Sequence, residues 1–121
     1  MLIADYEIFK HDSLLGLLDT DTGKVYQMWD ISEIKNFIKT HISEMFIGFN
    51  SDHYDKILAH GMLTGKITTP EKAFELSNAI INAQDTDTPI FGILSKFGIG
   101  DYYQSQILMY DVAGDRSIFF A

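Results

Sequence analysis

There is no cysteine among the 121 residues, which removes disulfide stapling and thiolate metal sites and suits a reducing compartment. No apolar run approaches the roughly 20 residues of a membrane span. Asp5 and Glu7 interrupt the N-terminal apolar stretch, so it does not read as a signal peptide and a soluble, cytoplasmic protein is expected. Cations are scarce: nine Lys and Arg stand against seventeen Asp and Glu, a formal charge of −8. Nucleic-acid binding draws most of its strength from Lys and Arg on phosphates. Alone, such a chain would grip DNA poorly. There is no His-x-x-x-His pair for a zinc site and no serine with a base positioned beside it, so a zinc enzyme and a hydrolase triad both lack support. What is present, 46% hydrophobic and 13% aromatic residues, suits one globular domain with a core of its own.

The pattern along the chain is α/β. Leu2 to Phe9 and Ser13 to Leu18 read as strands joined at Lys10-His11-Asp12. Asp19 to Gly23 reads as a turn, and Lys24 to Trp29 as a third strand closing an antiparallel meander. Asp30 or Ser32 can cap a helix whose Ile31, Ile34, Phe37, Ile38 and Ile42 recur at helical spacing. Met45 to Phe49 is then a short strand parallel to the first, because a helix supplies the crossover. A helix from Ser51 or Asp52 to about Met62 follows, with His53 and His60 expected on its exposed side. Another begins at Thr69-Pro70. Pro89 to Gly100 reads as irregular with one short helix, Ile107 to Val112 as a strand, and Ala113 to Ala121 has no firm pattern.

The informative residues are acids. Asp5 and Glu7 sit two apart on the first strand, so both carboxylates leave one face. Like charges that close cost stability unless a cation lies between them, and a divalent metal is the economical explanation. Gly48-Phe49-Asn50-Ser51-Asp52-His53-Tyr54-Asp55 runs from a strand through a turn into a helix and brings Asp55 as a third acid. The bland alternatives are solvent-facing acids for Asp5 and Glu7, a turn residue for Asn50, a core residue for Tyr54 and a helix-dipole acid for Asp55.

Asp5-x-Glu7, with Asn50-x-x-x-Tyr54-Asp55 some forty residues on, resembles the first two motifs of the DEDD-type 3′–5′ exonucleases. In particular it resembles the proofreading domain of phage DNA polymerases of the polymerase I type. The resemblance spans about the first half of the chain. It implies a ribonuclease-H-like mixed sheet with flanking helices, Mg²⁺ or Mn²⁺ as cofactor, and Asp5, Glu7 and Asp55 as metal-binding catalytic residues. Asn50 and Tyr54 would lie near a DNA 3′ end. The last metal-binding aspartate of the family, in a Tyr-x-x-x-Asp or His-x-x-x-x-Asp motif, has no counterpart. Residues 1–121 are therefore expected to form a partial domain, weakly active unless another polypeptide supplies that motif, with a basic partner domain holding the DNA. Asp111, at the C-terminal end of a strand, is a candidate substitute for the missing aspartate, although by resemblance it matches an aspartate that is not a ligand. The alternative expectation is a phage protein that kept the fold, lost catalysis, and uses its acidity to block a nucleic-acid-binding host enzyme such as a CRISPR effector.

Overall fold

The structure is a computed structural model of the 121-residue chain and describes residues 1–49 and 54–112. Among these, β1 (Leu2–Ile8), β2 (Ser13–Asp19) and β3 (Val25–Met28) form the antiparallel meander. Then come α1 (Ile31–Thr40), β4 (Phe46–Gly48), α2 (Asp55–Leu63), α3 (Pro70–Asp85), α4 (Phe91–Lys96), a 3-10 turn at Gly100–Gln104, and β5 (Met109–Asp111). The five strands make one mixed sheet in the order β3-β2-β1-β4-β5, with β4 parallel to both β1 and β5.

Local chemistry sets the boundaries. Gly23 takes φ +75 to close the β2–β3 turn, where a residue with a Cβ would be strained. The Asp30 carboxylate accepts the Ser32 amide at 2.8 Å and starts α1, and Thr69 accepts the Lys72 amide at 3.1 Å to start α3, with Pro70 in its first turn. Each satisfies a backbone donor that a helix start leaves without a partner.

Burial is one-sided. Leu2, Ala4 and Tyr6 of β1, Leu15 and Leu17 of β2, and Phe46 of β4 point into the core, where Ile34, Ile38, Leu58, Met62, Leu76 and Ile80 meet them from the helices. Ile3, Asp5 and Glu7 point the other way and are exposed. The flanking Ile3 and Phe9 give the first strand the look of one buried on both faces, but they are 43% and 49% exposed. β1 is central in the sheet and covered on one side only. Pro89 to Gly100 is more regular than its composition implies: α4 ends as the Ile99 amide reaches back to the Leu94 carbonyl at 2.8 Å. Tyr102 is then buried by the 3-10 turn that follows.

Candidate functional site

The β1–β4 ladder is short. Leu2 pairs with Phe46 and Ile3 with Ile47, and β4 ends one residue later. From there on, the edge of β1 that faced β4 needs another partner. Asp55, in the first turn of α2, supplies it: the Tyr6 amide donates to the Asp55 carboxylate. This bond holds the helix start against the open end of the sheet and leaves Asp55 only 3% exposed.

Asp5 and Asp111 both act on Asp55 from nearby. Asp5 precedes the Tyr6 amide on β1, and Asp111 closes β5 opposite Gly48. Burial first, then the charge of Asp5, then that of Asp111 push the Asp55 carboxyl up to about 7, against the lowering effect of the Tyr6 amide. A helix N-terminus favours an anion by about 0.3–1 kcal/mol, whereas each pKa unit corresponds to about 1.4 kcal/mol. Desolvation and like charge therefore outweigh the dipole. Among the described residues no ion pair reaches Asp55.

Asp5 in mid-β1 and Asp111 at the end of β5 thus share Asp55, in the first turn of α2, as an electrostatic partner beyond the carboxyl end of β4. Glu7, exposed two residues beyond Asp5, is not among the groups that shift Asp55. As the side chains stand, no three His, Asp or Glu among the described residues are gathered into a set that could hold a metal ion. The donor chemistry still suits a hard divalent cation, because the groups are all carboxylates and one of them is buried against its neighbours' charge. Asn50 lies outside the described residues. Tyr54 is half-buried, and its hydroxyl lies 2.6 Å from Ser77 Oγ on α3. Burial, then the charges of Asp55 and Asp5, raise its phenol above the ordinary value, although the Ser77 hydrogen bond works the other way.

Asp111, at the strand end where the sequence placed it, is buried and reaches Asp55 electrostatically. One residue was mis-set by sequence reasoning. His60, expected on an exposed helix side, is 4% exposed and pairs through Nε2 with Asp101 at 2.9 Å. It lies three residues after Ile57, on the same apolar stripe. Comparison with known protein families, with curated proteins and with solved structures finds no significant match for this chain.

Proposed function

We propose that this chain carries the metal-binding portion of a 3′–5′ exonuclease domain with a ribonuclease-H-like sheet. The observation that carries the reading is the buried Asp55 carboxylate, pushed up to about 7 by desolvation and by Asp5 and Asp111. A site that concentrates like charge around a desolvated acid costs stability, and a divalent cation would relieve that cost. Three antiparallel strands followed by two parallel ones, in the order β3-β2-β1-β4-β5, support the fold half of the reading. So does Asp5-x-Glu7, which presents its acids at the open side of β1.

Asp5 and Asp55 would hold the cation between the β1 strand and the start of α2, with Asp111 completing the cluster and Glu7 reaching from the solvent side. The chemistry that a pair of Mg²⁺ or Mn²⁺ ions would supply there is an activated water and stabilisation of the leaving oxygen of a phosphodiester. The chain's own contributions are positional. The Tyr6 amide fixes the Asp55 carboxylate, and Tyr54, tied to Ser77, anchors the helix start. The groove bounded by Ile3, Asp5, Ile47 and Phe49 gives apolar walls beside Asp5.

Calorimetric titration with Mn²⁺, followed by digestion of 3′-labelled single-stranded DNA, tests this. Binding that is lost in Asp5→Ala and in Asp55→Asn, with Mn²⁺-dependent loss of the 3′ label, is the expected result. No heat at millimolar Mn²⁺ would remove the catalytic reading. One observation favours a second reading, protein binding without catalysis: none of the five strands contains a Lys or Arg, and the whole chain carries −8.

A further inference from the structure

The strand register aligns one residue from each strand into a row across the sheet. Val25 pairs with Leu18, Leu18 with Ile3, Ile3 with Ile47, and Ile47 with Tyr110. All five side chains leave the face opposite the helices. Val25 is 66%, Ile3 43% and Leu18 38% exposed. With strands about 4.8 Å apart the row is roughly 19 Å long. An apolar band of that extent is larger than the scattered apolar side chains an ordinary surface carries, and bands of this kind mark interaction sites. Sheets bury such faces against helices or a second sheet. Among the described residues no helix lies over this one.

Charge identifies the occupant. The same face carries Asp5 and Glu7 next to the row, and no strand offers a Lys or Arg to answer them. A second copy of the chain would set those acids against their own duplicates, at −8 per molecule, and like charges facing each other across an interface are costly. With no metal bound to the acids, nucleic acids and anionic membranes are repelled for the same reason. An apolar stripe edged with cations satisfies both the row and the acids. A helix of about 13 residues, at 1.5 Å per residue, matches the row's length.

We propose that the open sheet face is the docking surface for a basic amphipathic helix of a partner polypeptide, its apolar stripe lying along Val25, Leu18, Ile3, Ile47 and Tyr110 and its Lys or Arg residues meeting Asp5 and Glu7. The proposal does not depend on the exonuclease reading. Its test is run in EDTA, so that metal occupancy does not enter.

Trp29, half exposed just beyond the end of β3 and the only tryptophan, is a built-in reporter. The full chain is titrated with a tryptophan-free Leu/Lys amphipathic peptide of about 18 residues, and with its Leu/Glu twin, while Trp29 emission and calorimetric heat are followed. The Leu/Lys peptide alone should bind, more weakly as salt rises. Ile3→Thr combined with Val25→Thr, which leaves every charge in place, should weaken it by about tenfold or more. The thermal midpoint of that variant shows that it folds, and Leu18→Thr with Val25→Thr serves as the second variant if it does not. Equal binding of the two peptides, or binding unchanged by the threonine variants, overturns the proposal. So does a dimer by sedimentation that these variants dissociate, since the occupant would then be a second copy.

Discussion

Asp55 is an acid whose folded pKa, about 7, lies above its ordinary value of 3.8. Between those values the folded protein holds a proton that the unfolded chain has released. The Asp55 contribution to stability is therefore greatest below about pH 4, falls as pH rises through that window, and levels off above about 7. Asp55→Asn keeps an acceptor for the Tyr6 amide and discards the charge. Urea unfolding at pH 5 and pH 8 should show the wild type losing on the order of 2–4 kcal/mol relative to the variant at the higher pH. A pH-independent difference would mean that the carboxyl is not desolvated as described. His60 gives a second single-residue test. Its Nδ1 is buried without a partner among the described residues, while Nε2 meets Asp101, whose side chain is largely exposed. Removing a buried polar atom that has no partner removes its desolvation penalty, and Asp101 regains water at little cost. His60→Leu is expected to match or exceed the wild-type thermal midpoint, whereas His60→Ala, which leaves a cavity, should lower it.

Among the elements, α2 is closely approached by the chain that follows it. A Cβ on Gly61 would come within 2.7 Å of Ile67 Cγ1, and Ile67 is fully buried with its amide bonded to the Gly61 carbonyl. Gly61→Ala should therefore destabilise by about 1–3 kcal/mol through overpacking, against the few tenths to 1 kcal/mol by which alanine ordinarily favours a helix. A stabilised variant in denaturant unfolding would show that the approach of Ile67 is loose. The elements also show what the sequence could convey. Period-two alternation in Leu2–Ile8 and the capping residues Asp30 and Thr69 are local signals, and the strands and helices they imply are where expected. So is the parallel pairing of β4 with β1, because a helical crossover dictates it. Coverage is not local. Ile3 and Phe9 look like core residues by hydrophobicity alone, yet they are exposed in the fold, and Ile3 shares its face with Asp5 and Glu7. The candidate site divides the same way. Asp5 with Glu7 is legible from spacing and Asp111 from its strand end, whereas the closeness of Asp111 to Asp55 depends on where β5 joins the sheet, 56 residues after Asp55 in the chain. The 3-10 turn that buries Tyr102 and provides Asp101 for His60 follows a glycine-punctuated stretch with no period to read.

For the whole molecule, the surplus of acids joins the two functional readings. A net charge of −8 on 121 residues sets up self-repulsion that salt screens. The thermal midpoint should rise with NaCl between low and physiological ionic strength. At matched ionic strength MgCl₂ should raise it further in the wild type but not in Asp5→Ala, since only a bound cation stabilises beyond screening. Equal effects of the two salts would argue against a cation site. The most direct measurement is the carboxyl titration of Asp55 by carbon-13 NMR, in EDTA and in Mg²⁺, for the wild type and Asp5→Asn. A midpoint near 7 is expected in EDTA, lower in Asp5→Asn and lower again in the wild type when Mg²⁺ is added. An ordinary carboxyl midpoint, unmoved by Asp5→Asn or by Mg²⁺, would contradict the claim that these acids meet at the end of the sheet to share a cation.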